Sequence, residues 1–161
     1  MKKDYSLEEL IYKAASYCSL CEHCISEVET KLSAWGATDT EKDKVIDRMI
    51  EENFIDEKRY CAFFVKDKFR FNKWGRIKIA YSLKSKGLDR NSIEDAMVLI
   101  DEEAYDELLF ELLKSKLRGL KYESEYEKQG KLFRFAQSRG FENKFIERAI
   151  RKIDNDFELE I

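Results

Sequence analysis

NFIDEKRYCAFFVKDKFRFNKWGRIKIAYSLKSKGL, from Asn53 to Leu88, is the stretch whose reading decides the fold. A short acidic joint at Ile55, Asp56 and Glu57 leads into Tyr60, Phe63, Phe64 and Val65, apolar positions at helical spacing. The pattern breaks near Asn72 and resumes through Ile79 and Leu83 to Gly87, so the stretch predicts a helical hairpin with a strongly basic second half. Lys66 to Arg90 carries nine Lys or Arg against Asp67 and Asp89 alone, whereas Asn91 to Leu113 carries eight Asp or Glu and no base. In a chain of net charge -3, segregation this sharp predicts a directional binding surface.

The same helical grammar extends to both sides. Upstream, Ser6 with Glu9 forms a capping box ahead of Leu7, Leu10, Ile11, Ala14 and Ala15, predicting a helix to about Cys21. Ser26 with Glu29 reads as a second capping box, opening a helix through Val28 and Leu32 that ends at Trp35 and Gly36. A polar link from Thr38 to Asp43 then precedes a helix marked by Ile46, Met49, Ile50 and Phe54. Downstream, Asp89 is placed to cap a helix with Ile93, Ala96, Met97 and Ile100, and a long helix follows from Asp101 through Leu108, Leu109, Leu112 and Leu113. After a polar joint at Gly119 to Glu125, one helix carries Leu132, Phe133 and Ala136 to Gly140, and the last carries Ile146, Ala149, Ile150 and Ile153.

Aligning the glycines exposes a repeat. Gly36, Gly87 and Gly140 stand about fifty residues apart. Val28, Ile79 and Leu132 lie eight residues before them, and Leu32, Leu83 and Ala136 four before. IEDAMVLID (Ile93 to Asp101) parallels IERAIRKID (Ile146 to Asp154). The expectation is an all-α chain of three tandem three-helix repeats, helix-turn-helix-like units at 1–55, 56–101 and 102–153, followed by a frayed acidic tail at 154–161. Units this small bury little alone and need their neighbours, which predicts an elongated, curved array.

Composition supports the helical reading and narrows the function. Proline is absent, and 39% of residues are charged. No run approaches the roughly 18 apolar residues that span a bilayer, and MKKDYSLEELIYK lacks the apolar core of a secretory signal. The expected setting is the cytoplasm, with no membrane contact and the four cysteines reduced. No phosphate-binding glycine loop or nucleophile elbow is present. His23, the single histidine, has no evident partner for general-base work, so the chain reads as a non-enzyme without a cofactor.

Two groups of side chains carry candidate chemistry. Lys66, Lys68, Arg70, Lys73, Arg76, Lys78, Lys84, Lys86 and Arg90 are interleaved with Phe69, Phe71 and Trp74. Such bases neutralise phosphates or dock on an acidic protein groove, and aromatic faces stack on bases; Phe69 and Trp74 equally suit the core. Cys18, Cys21 and Cys24 are spaced as zinc or iron–sulfur ligands would be, but no fourth ligand is evident. Their spacing also places them along one face of a helix, which favours reduced structural thiols with metal as the lesser alternative.

FIDEKRYCAFFV (Phe54 to Val65) resembles the glycine-aromatic, Leu-Asp-Asp, Arg-Tyr-Ala, Phe-Val pattern of the RecX family. WGRIKIAYSLKSKGL (Trp74 to Leu88) is similar to that family's Trp-Gly segment and following helix, and KLFRFAQSRGF (Lys131 to Phe141) fits its third unit. The likeness is strong from Phe54 to Leu88 and from Lys131 to Ile153, and weak before Ile46. Asn53 departs from a usual glycine, tolerably because Asn enters left-handed geometry more readily than most residues. A pI near 5.5 departs in the direction of weaker binding to bare DNA. The resemblance implies a monomeric regulator that lies on RecA filaments on single-stranded DNA and restrains recombinase, ATPase and coprotease activity, within DNA repair. The runner-up is a sequence-independent DNA-binding helical module.

Overall fold

A computed structural model describes residues 4–160, all of whose regular structure is helical, with no strand among them. The order is α1 (Leu7–Leu20), α2 (Ile25–Ala34), α3 (Asp39–Glu51), α4 (Glu57–Asp67) running into a π-helical turn (Lys68–Asn72), α5 (Arg76–Ser85), α6 (Arg90–Met97), α7 (Glu102–Arg118), α8 (Glu125–Ser138) and α9 (Asn143–Leu159). No helix of the described residues is long and apolar enough to cross a membrane.

The repeat register is visible in burial and in the turns. Val28, Leu32, Ile79, Leu83, Leu132 and Ala136 are all fully buried. Gly36, Gly87 and Gly140 all have positive φ, at 84°, 84° and 89°. In each case the residue after the glycine donates to the carbonyl four residues before it: Ala37 to Leu32, Leu88 to Leu83 and Phe141 to Ala136. That bond closes the last helical turn, and the left-handed residue it needs is cheapest as glycine. The third helix of each group begins two residues further on, after Thr38, Asp89 and Glu142.

The chain forms two compact units. The first contains residues up to Phe63 together with Leu83–Ala96; the second contains Phe64–Ser82 and the chain from Met97 onward. In the first unit α1, α2 and α3 pack on one another around Leu10, Ala14, Val28, Leu32, Val45, Ile46 and Met49. In the second, α7, α8 and α9 close around Tyr105, Leu109, Leu113, Leu132, Phe141, Ile146 and Ile153. Burying one such aliphatic side chain contributes about 1.5–3 kcal/mol, which makes these stripes the main source of stability.

Several local expectations are corrected. Ser26 does not cap α2; the helix starts two residues earlier than that cap implies, at Ile25 after Cys24, with no side-chain cap, and Ser26 Oγ instead meets Cys24 Sγ at 3.2 Å. The supposed polar link after Thr38 is already helix, because Thr38 and Glu41 form a reciprocal capping box at the start of α3. Ile50 is 43% exposed, on the outer face of α3. The acidic tail is helical through Leu159, with Asp154 accepting from Lys128 Nζ at 3.3 Å and Gln129 Nε2 at 3.1 Å; Ile161 lies outside the described residues. Ser6–Glu9, Asp89 and Asp101 cap as the sequence implies, and Asn53 takes φ 60°.

Candidate functional site

The basic segment leaves α4 through the π-helical turn. Lys73 and Trp74 both donate to the Lys68 carbonyl, and Lys73 takes a left-handed φ of 56°. Such turns are uncommon and recur where side chains must be re-aimed for a function. Here the turn is seated against the end of α8. Gly75 donates to the Arg139 carbonyl at 2.8 Å and Ile77 to the Gly140 carbonyl at 3.0 Å, while Arg139 reaches the Asn72 carbonyl at 3.3 Å. A Cβ on Gly75 would stand 2.3 Å from the Gly140 oxygen, and one on Gly140 would stand 2.3 Å from Lys78 Cβ. Glycine at both positions therefore permits the backbones to touch.

A second anchor fixes the start of α5. The Arg76 backbone N–H donates to the Tyr105 hydroxyl at 3.0 Å, and that hydroxyl donates to Glu142 Oε1 at 3.1 Å. The Arg76 guanidinium lies over the Tyr105 ring at 4.0 Å and the Phe145 ring at 5.2 Å, with Nη1 3.6 Å from Glu142 Oε2. Tyr105 is fully buried, and burial pushes its hydroxyl well above the usual tyrosine range. Tyr105 and Glu142 were not singled out by sequence, because nothing local links them to Arg76.

The nine bases consequently have different roles. Lys66, Lys68, Arg70, Lys73, Arg76 and Lys78 belong to the second unit, and Lys84, Lys86 and Arg90 to the first. Arg76 is committed to its anchor, Lys86 pairs with Glu27 at 3.0 Å, and Arg90 pairs with Glu94 at 2.7 Å on an exposed helix face. Lys66, Arg70, Lys73, Lys78 and Lys84 have no ion-pair partner among the described residues. Lys68 and Lys78 lie over the half-buried Trp74 ring, at 5.4 and 4.6 Å. Phe69 stacks on Tyr105 at 5.9 Å, whereas Phe71 is 73% exposed between Arg70 and Lys73. The acidic run is partly matched by Arg90 at Glu94 and by Arg148, 2.6 Å from Asp106 and 3.7 Å from Glu102.

The cysteine triplet is arranged differently from the expectation of one helical face. Cys21 is the residue that ends α1 and Cys24 the one that precedes α2. Cys18 and Cys24 are buried and only Cys21 is exposed. No group of three or more His, Cys, Asp or Glu able to hold a metal ion occurs among the described residues. His23 does have an oriented partner, Glu27, at 2.6 Å.

The family model described as "RecX, second three-helix domain" matches residues 56–97, the segment holding the helical hairpin and all nine of these bases. Regulatory protein RecX of Clostridium botulinum strain Eklund 17B is 36% identical over 135 residues, 83% of this chain and 62% of that protein. Its counterpart in Prosthecochloris aestuarii is 27% identical over 150 residues, 93% of this chain and 97% of that protein. The chain spans about three fifths of the length of the clostridial relatives it matches. A crystal structure of RecX from Lactobacillus salivarius shares the fold at a TM-score of 0.82 and 24% identity, covering 92% of this chain and 96% of that one. Three tandem three-helix groups, the matched hairpin and these relatives together establish that the chain belongs to the RecX family.

Proposed function

We propose that this chain is a non-enzymatic regulator of the RecA recombinase, binding RecA filaments on single-stranded DNA and restraining their recombinase, ATPase and coprotease activities. Its contact surface is the second unit's basic segment, principally Lys66, Lys68, Arg70, Lys73 and Lys78, presented by repeats that run 1–55, 56–101 and 102–153. It acts as a monomer in the cytoplasm. The observation that carries this reading is the contrast between a backbone seated at Gly75 and Arg76 and the cations on either side of it, of which Lys66, Arg70, Lys73 and Lys78 have no ion-pair partner among the described residues. Fixed charge of one sign steers and orients docking on an acidic polymer, at little cost in internal pairing.

Direct contact with bare DNA is the second reading, favoured by Phe71, an exposed ring placed among bases where a nucleotide can stack. The net charge of -3 favours the filament. The test is RecA ATP hydrolysis on single-stranded DNA with substoichiometric protein, run beside DNA binding without RecA over a salt series. The filament reading predicts a fall in hydrolysis at ratios well below one to one, and weak binding to DNA alone. Unchanged hydrolysis at excess, with tight and steeply salt-dependent DNA binding, would favour the bare-DNA module.

A further inference from the structure

The connection between α1 and α2 aligns a thiol, an imidazole and a carboxylate. Cys21 Sγ lies 3.2 Å from His23 Nε2, and His23 Nδ1 lies 2.6 Å from Glu27 Oε2. The imidazole is held flat against the Tyr17 ring, 3.8 Å between centroids and 13° between planes. Glu27 is fixed in turn through Oε1, which accepts from the Tyr60 hydroxyl at 2.7 Å and from Lys86 Nζ at 3.0 Å. Burial works to raise the Glu27 carboxyl, but the hydrogen bonds from Tyr60, His23 and Lys86 outweigh it and hold the group below the usual glutamate range. An ionised carboxylate only accepts hydrogen bonds, so Nδ1 carries a proton toward Glu27, and whenever the ring bears a single proton Nε2 offers its lone pair to the sulfur. This is the arrangement in which a nucleophile's proton has an acceptor and the acceptor has an orienting group.

The four cysteines are not equivalent. Cys18, Cys24 and Cys61 are buried, and burial pushes the Cys18 and Cys61 thiols up to about 11. Only Cys21 combines solvent access with a base in hydrogen-bond contact. Its place at an exposed helix end suits a small co-reactant that needs no cleft.

We propose that Cys21 is a thiol-modification site that reacts with low-molecular-weight disulfides, with His23 as its base and Glu27 as the residue that positions His23. His23 Nε2 takes the thiol proton, and the Cys21 sulfur attacks one sulfur of the disulfide. The new Cys21–sulfur bond forms as the original sulfur–sulfur bond breaks. The leaving thiolate takes the proton back from the imidazolium and departs as a thiol, so Cys21 is oxidised and one half of the disulfide is reduced. Because Glu27 also holds Lys86, the modification acts on a cluster that includes one of the nine bases.

The test treats the reduced full-length chain with 5,5′-dithiobis(2-nitrobenzoic acid) and separately with glutathione disulfide, mapping the first equivalent by peptide mass spectrometry. The expected result is label at Cys21, at least roughly tenfold faster than at the same cysteine in the urea-unfolded chain, a threshold set below the roughly 10²–10⁴-fold that a fully effective general base supplies. His23→Ala and His23→Gln, verified as folded by circular dichroism, should remove that acceleration. Glu27→Gln should slow the reaction less and change the pH dependence of its rate. Faster labelling of the unfolded chain, a first equivalent on Cys18, Cys24 or Cys61, or folded His23 variants that react like the parent would each overturn the assignment. The first comparison needs no variant, so it decides even where a substitution fails to fold.

Discussion

The two units use the same repeated turn for different ends. Two residues beyond each repeat glycine stand Thr38 and Asp89 in the first unit and Glu142 in the second. Thr38 and Asp89 cap the helices that follow them. Glu142 makes no side-chain cap; its carboxylate faces the Tyr105 hydroxyl and the Arg76 guanidinium instead. The glycines diverge in the same way. A Cβ at Gly36 or Gly87 would meet nothing within 4 Å, whereas at Gly140 it would strike Lys78. A repeat supplies a turn, and the turn becomes a seat when another segment is brought onto it; the departure from the repeat marks the segment that matters.

The largest expected effect tests that seat. Gly75→Ala and Gly140→Ala should each cost about 3 kcal/mol or more in urea denaturation, since either Cβ meets backbone or Cβ atoms that cannot swing aside. Gly36→Ala and Gly87→Ala, strained in φ but sterically open, should cost about 1–2 kcal/mol. Equal losses at all four sites would erase the distinction. Tyr105→Phe should cost about 1–2 kcal/mol, because it strips a partner from both the Arg76 N–H and Glu142.

The first unit has its own tyrosine–glutamate–cation cluster, Tyr60, Glu27 and Lys86, and this one responds to pH. Glu27 is held below its ordinary value of 4.5, so the stability it contributes is present above that value and is lost as pH falls through its folded value. Glu27→Gln should therefore be less stable than the parent by about 1 kcal/mol at pH 7, with the gap closing as the pH falls below 4.5. A gap that widens on acidification would reverse the assignment. The smallest effect on stability belongs to Lys66→Ala, Arg70→Ala and Lys73→Ala, which should stay within about 0.5 kcal/mol of the parent because none of them has an ion pair among the described residues.

The helices were legible because their signals are local. A glycine past a helix end, apolar residues four and eight before it, and a capping residue two after it at Thr38 and Asp89 all act within one or two turns. Thr38 with Glu41 was legible on the same terms, yet its polar surroundings read as a link. The site was legible only as composition. Counting charges located the basic segment, but the count assigned Arg76 to the binding surface when Glu142, Tyr105 and Phe145 occupy it. His23 and Glu27 are spaced as helical neighbours, but α1 ends at Leu20 and the backbone turns between them and Cys21, so their alignment with the thiol had no periodic signature.

The central claim is that the unpaired bases around the seated turn, rather than the charge of the chain as a whole, carry the regulation. The most direct measurement is RecA ATP hydrolysis on single-stranded DNA titrated with the parent chain, with a Lys66→Ala, Arg70→Ala, Lys73→Ala triple variant, and with a Lys42→Ala, Lys44→Ala, Lys114→Ala control that removes the same charge elsewhere. The account predicts that the folded triple variant needs at least roughly tenfold more protein for the same inhibition, as losing a few charged contacts implies, while the control matches the parent. A triple variant as potent as the parent, or a control equally impaired, would contradict it.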